Sequence, residues 1–176
     1  MSMEFLCHKW MDKFFGDKAD KYRYKHIVDA FSFIPYGTIV DEFQHIVYEN
    51  PDLTPAERDA EYLKLEKKYR PYLSFEGIPY LEKGTRWQYQ MHIYESPFYY
   101  IDYCLAQCVA LGFLGLSRAD FADALDKYLA FLRATGSVSF GELVEGAGLK
   151  PPFEAGALKE IAASSAEVIR EVEKKI

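Results

Sequence analysis

The sequence has little cysteine, three residues in 176. Cys7, Cys104 and Cys108 are too few, and odd in number, for a disulfide framework, and they fit a reducing, cytoplasmic setting. Histidine is sparse too, with four residues, and none is followed by Glu. The His-Glu-x-x-His motif is therefore absent, and with it the arrangement of two metal ligands and a base on one helix. Positive charge is not in excess: 21 Lys and Arg stand against 27 Asp and Glu, a net charge of −6. A nucleic-acid binder needs a concentrated basic face, so that class is disfavoured. No apolar run reaches the ~18 residues of a membrane span, so no membrane insertion is expected. The N-terminal MSMEFLCHKWMDKFF reads as amphipathic and lacks the parts of a signal peptide. No strand pattern, internal repeat or low-complexity tract stands out. Gly141, Gly146 and Gly148 lack the preceding strand of a phosphate-binding loop.

What is present is apolar and aromatic. Apolar residues make up 49% and aromatics 16%, with 14 Tyr and 13 Phe. That excludes a disordered tail and leaves enough for one domain-sized core, so residues 1–176 are expected to form a single helical unit. The sharpest helix start is Thr54-Pro55-Ala56-Glu57, a capping box with proline at the first position. That helix runs to Arg70, and Pro71 stops it. Its pairs Glu61/Lys64 and Glu66/Arg70 predict a largely solvated face. Residues 3–15 predict one helix. One long helix or two in tandem follow to Asn50, with Pro35 and Gly37 marking a kink or break. Residues 71–84 read as loop with one helical turn, and 85–94 as helix. Ser96-Pro97 opens a nearly uncharged helix to Phe113, expected to be the most buried. Ser117 with Asp120, and Ser139 with Glu142, cap two more. Pro151-Pro152 reads as a hinge before a last helix over 155–174. The class that follows is all-α.

Three histidines have a carboxylate at helical spacing: Glu4/His8, Glu42/His45 and His92/Glu95. A di-iron bundle site needs two Glu-x-x-His copies and two further glutamates. Only Glu42-Phe43-Gln44-His45 is a clear copy, so a hydrogen-bonding role is favoured, and an independent metal site requires the pairs to converge. Cys104 and Cys108 lie one turn apart and read as small core residues. The densest cluster is His92–Tyr103, one His and four Tyr in twelve residues. Buried phenols need partners, and the Ser96-Pro97 interruption can aim His and Tyr into a cleft from two directions. Phenol and imidazole donors suit a peptide carbonyl or the oxyanion it becomes. A wet aromatic core, its tyrosines bonded to backbone, explains the same letters equally well.

Three stretches also resemble a known family. They are Met1-Ser2-Met3-Glu4-Phe5-Leu6; Phe33-Ile34-Pro35-Tyr36-Gly37 with Val40-Asp41-Glu42-Phe43-Gln44-His45 and Tyr48-Glu49-Asn50-Pro51; and His92-Ile93-Tyr94 with Pro97-Phe98-Tyr99-Tyr100-Ile101-Asp102-Tyr103. They resemble the C-terminal part of the catalytic domain of oligoendopeptidase F and its thimet-oligopeptidase relatives, zinc metallopeptidases of the His-Glu-x-x-His class. The resemblance implies a multi-helix orthogonal bundle. It also implies that His92 and one or more of Tyr94, Tyr99, Tyr100 and Tyr103 bind the peptide backbone and stabilise the tetrahedral oxyanion. Glu4 is implied to support the metal helix from behind, although a carboxylate favourable to the first turn of a helix is an equal reading. The family's zinc ligands lie upstream of Met1, so the resemblance implies a C-terminal portion with no catalytic metal of its own. It further implies short peptides as substrate, the missing N-terminal part as a partner, and self-association through uncovered apolar surface. A non-catalytic helical peptide-binding module is the competing reading.

Overall fold

The structure is a computed structural model describing residues 1–176. It contains helices and turns and no strand. The ten α-helices are α1 (Ser2–Leu6), α2 (Asp12–Phe15), α3 (Ala19–Glu49), α4 (Pro55–Tyr69), α5 (Pro79–Glu82), α6 (Met91–Glu95), α7 (Ile101–Ala119), α8 (Phe121–Ala134), α9 (Phe140–Gly146) and α10 (Ala157–Glu173). The all-α class expected from the sequence is the class observed. No helix is long and apolar enough to cross a membrane. Residue contacts gather into two compact units, one of residues 1–31 and 105–176, the other of residues 32–104.

In the first of these, Val109, Phe113, Val144 and Ala147 form a buried cluster, with Tyr128, Phe131, Phe140 and Leu149 packed on it. The continuous helix expected over 3–15 is broken. Cys7–Trp10 tightens into a 3-10 turn, and Gly16, at φ 52°, ends the segment. The cause lies at the carbonyl of His8, which accepts from Met11 N–H at 3.3 Å and from the Arg23 guanidinium at 2.9 Å. Ser117 is not a cap. It sits inside α7 with its hydroxyl donating to the Leu114 carbonyl at 2.8 Å, and Asp120 caps α8 through the N–H groups of Ala122 and Asp123. The Ser139/Glu142 capping box is present in full. Pro151 and Pro152 are both buried in the α9–α10 connection rather than forming an exposed hinge.

In the unit of residues 32–104, Ile39, Val40, Phe43, Tyr62, Leu65, Trp87, Ile93 and Tyr100 form the core. Pro35 does not break α3, which runs unbroken to Glu49. An interior proline costs a helix about 3 kcal/mol. The complete burial of Ile39, Val40 and Phe43 just beyond it offsets that cost. The carbonyl of Ile34, beside the interruption, takes additional donors from the Thr38 hydroxyl at 2.9 Å and the Cys104 thiol at 3.6 Å. Gly37 is what lets the start of α7 approach, since a Cβ there would collide with Cys104 Sγ.

Helix α4 begins with the expected capping box. Its charged face is not wholly solvated as expected. Glu61/Lys64 is exposed, whereas Glu66 and Arg70 are 3% and 7% exposed and form a two-pronged ion pair. Arg70 takes its place in the core because its guanidinium also lies 5.1 Å from the ring centre of Tyr36.

Candidate functional site

The His92–Tyr103 segment folds as two helices and a turn, not as the single long helix expected from Ser96. The helix read over 85–94 likewise divides into a 3-10 turn, Thr85–Tyr89, and α6, with Gln90 extended between them. After α6 the chain turns through Ser96–Tyr99, where Phe98 adopts φ 61°. A bulky residue in the left-handed region is strained and needs support. The support is Gln44, which is fully buried in α3: its Oε1 accepts the Phe98 N–H at 2.9 Å, and its Nε2 donates to the Val40 carbonyl at 3.2 Å. The Phe98 ring rests between His45 and Tyr48, at 4.8 and 5.1 Å. This pinned turn delays the start of α7 to Ile101.

The turn brings His92 against three tyrosines. Its ring centre lies 6.2 Å from Tyr99, 5.0 Å from Tyr100 and 5.8 Å from Tyr103. Tyr99 is exposed, Tyr100 is buried, and His92 and Tyr103 are half-buried. Burial pushes the Tyr100 phenol up to about 12, and a hydrogen bond with Tyr99 raises Tyr103. Both phenols are therefore protonated donors at neutral pH. Tyr94 stands apart from this group. It stacks on Trp87 at 5.9 Å and lines a separate cavity of about 360 Å³ with Phe43, Tyr48 and Arg58.

Two residues stand behind the cluster, Tyr36 and Gln90. Gln90 Nε2 approaches His92 Nδ1 at 2.6 Å, and Gln90 Oε1 accepts from the Tyr36 hydroxyl at 2.8 Å. The sequence singles out no role for Gln90, and Tyr36 and Gln44 enter it only within the resembling stretches, with no role of their own. The signal for Gln44 was present: it lies on the apolar stripe of Val40, Phe43 and Val47, where a polar residue needs a partner.

The histidine–carboxylate pairs do not become metal sites. Glu42 binds Lys68 at 2.7 Å and the Tyr69 hydroxyl. His45 lies 3.6 Å from Asp41. In the other unit, Glu4 does not face His8. It lies 3.7 Å from His26, whose Nδ1 is 2.8 Å from His8 Nε2. Burial, followed by the charges of His26 and Arg23, pushes the His8 imidazole down to about 4. No group of three or more His, Cys, Asp or Glu converges to hold a metal ion. The residues present do not fit a catalytic zinc, and the independent metal site considered from the sequence is not assembled. Cys104 and Cys108 are buried, as expected for small core residues.

Comparison with solved structures finds the whole chain within larger peptidases. A structure described as an oligoendopeptidase F is 48% identical with a TM-score of 0.92, and the match covers 99% of this chain and 31% of that one. PZ peptidase A, solved with an inhibitor, is 45% identical at TM-score 0.92, again over 99% of this chain and 31% of its own. A structure described as an oligoendopeptidase F from Bacillus anthracis str. Ames is 39% identical at TM-score 0.79, over 99% of this chain and 28% of that one. The chain thus spans about a third of the length of the structures it matches. No match was found among curated proteins. The family model for peptidase family M3 matches residues 3–163, so this chain belongs to peptidase family M3.

Proposed function

We propose that this chain supplies the peptide-binding wall of an M3 oligopeptidase acting on short peptides. The observation that carries the reading is the His92 ring set against Tyr99, Tyr100 and Tyr103 by a turn that breaks the helix. The phenols of Tyr99, Tyr100 and Tyr103 lie with their ring centres 5.0–6.2 Å from the His92 imidazole. They can bind a backbone carbonyl and hold the negative charge that develops on its oxygen during hydrolysis. Such donors act without reorganisation, and losing one lowers turnover by about 10²–10³. Tyr94, on the Trp87 side, would contact a more distant part of the peptide.

Zinc is the family's metal, and no group of three or more His, Cys, Asp or Glu in this chain converges to hold it. Glu4 would support the metal-bearing part of a complete peptidase through His26. The rest of such a peptidase is the natural protein partner, and exposed side chains such as Phe14, Tyr72 and Tyr89 provide apolar surface for it or for self-association.

Calorimetric titration of the chain with mixed short peptides is expected to show binding in the millimolar range or tighter, weakened by Tyr103→Phe or His92→Gln. Absence of binding at millimolar peptide would overturn the reading. The metal-replete chain alone is expected not to cleave a quenched oligopeptide, because it lacks a ligand set. A non-catalytic binding module shares both outcomes. Restored hydrolysis on adding the remaining portion of a related peptidase separates the two.

A further inference from the structure

We infer that Tyr36 and Gln90 are positioning residues that hold neutral His92 in its Nε2–H tautomer, leaving that N–H to donate to a bound carbonyl. The purpose of this arrangement rests on the peptide-wall reading; the tautomer itself does not.

The Gln90 amide is shared between two neighbours. Gln90 touches the Tyr36 hydroxyl through one end at 2.8 Å and His92 Nδ1 through the other at 2.6 Å. Two proton arrangements satisfy both contacts. In one, Tyr36 O–H donates to the Gln90 carbonyl and the Gln90 amide N–H donates to Nδ1. In the other, the amide is turned over: its N–H donates to the Tyr36 oxygen and its carbonyl accepts from Nδ1–H. The two choices give His92 opposite tautomers.

The surroundings of Tyr36 decide between them. Two guanidinium groups flank its ring, Arg70 at 5.1 Å and Arg86 at 5.2 Å from the ring centre. Positive charge over the ring draws electron density from the phenol oxygen. The hydroxyl becomes a better donor and a poorer acceptor. Arg70 is itself held in place by the buried Glu66 carboxylate. Tyr36 therefore donates, the Gln90 carbonyl faces it, and the amide N–H is directed at Nδ1. A nitrogen accepting that bond carries no proton, so the ring proton sits on Nε2. The second contact of an imidazole fixes the role of the first, and here the second contact is a neutral amide. The ring is thereby oriented as a donor through Nε2. All the groups concerned, Tyr36, Arg70, Arg86, Gln90 and His92, lie within the unit of residues 32–104.

The test is the imidazole nitrogen spectrum of the ¹⁵N-labelled 176-residue chain at about pH 8.5, above the ordinary histidine range. The His92 signals are identified by their loss in His92→Gln. The expected result is an excess of the Nε2–H tautomer by about tenfold or more, the bias one well-made hydrogen bond provides. A dominant Nδ1–H form, or an even mixture, in the unaltered chain would overturn the proposal, and this result requires no variant to fold. Gln90→Glu, whose carboxylate can only accept, is expected to invert the ratio. Tyr36→Phe is expected to bring it towards an even mixture, with helical circular dichroism unchanged. A folded Gln90→Glu chain that keeps the original ratio would also overturn it. Peptide titration is read separately. Nε2–H dominance without peptide binding upholds the relay and defeats the peptide wall. Peptide binding with Nδ1–H dominant does the reverse.

Discussion

Gln44 shows how much one amide can decide. It is fully buried, and its two ends hold the Phe98 N–H and the Val40 carbonyl. Gln44→Ala leaves the Phe98 N–H without its acceptor in a turn that is already strained. Urea denaturation is expected to show a loss of about 1–3 kcal/mol, whereas Gln44→Glu, which keeps the acceptor, loses less at that contact. His8 makes a different prediction. Its imidazole titrates near 4 in the folded chain, against 6.5 for the ordinary group, chiefly because burial disfavours the cation. Above the unfolded value both states hold it neutral and it contributes no pH dependence. As pH falls below 6.5 the unfolded state takes up a proton that the folded state refuses, so stability declines until pH reaches about 4. His26, also lowered mainly by burial, acts in the same direction. The loss assigned to His8 is of order 3 kcal/mol. Denaturation midpoints between neutral pH and pH 4 should record it, and His8→Phe should flatten the profile.

At the scale of elements, the close approach of α3 and the start of α7 turns on Gly37 and Cys104. Gly37→Ala places a methyl group on Cys104 Sγ and is expected to cost about 1–3 kcal/mol. Adding Cys104→Ala should recover part of that loss, a coupling that a double-mutant cycle of denaturation midpoints reads directly. The same elements show what was legible in the letters. Both capping boxes, at Thr54/Glu57 and Ser139/Glu142, were readable because the bonds they make span three residues. The interruption at Ser96-Pro97 was readable as a break in direction. Its length was not, because the acceptor that pins Phe98 lies 54 residues earlier in the chain. The continuity of α3 through Pro35 depends on core packing, which no local rule contains. The burial of Glu66/Arg70 was likewise hidden. The i,i+4 spacing is the same for an exposed pair, and only the Tyr36 ring over Arg70 distinguishes them. The density of His and Tyr over 92–103 is visible locally, while the contact of Tyr36 with Gln90 exists only once 54 residues of separation close to a hydrogen bond.

For the whole molecule, the path of the backbone has a consequence for how the fold is lost. The chain leaves the unit of residues 1–31 and 105–176 in the middle of α3, and returns to it within α7. Neither unit owns a complete copy of these two helices. A helix is cooperative along its length, and ending it part-way exposes unpaired backbone groups and requires a new terminus. Melting one unit alone would have to create such a terminus in both helices at once. Thermal unfolding is therefore expected to be a single calorimetric transition whose measured enthalpy equals its van't Hoff enthalpy. Two resolved transitions would count against this. Two compact bodies joined by a flexible linker could melt in sequence. Here the joints are themselves helices, and the loss of either unit is expected to be the loss of both.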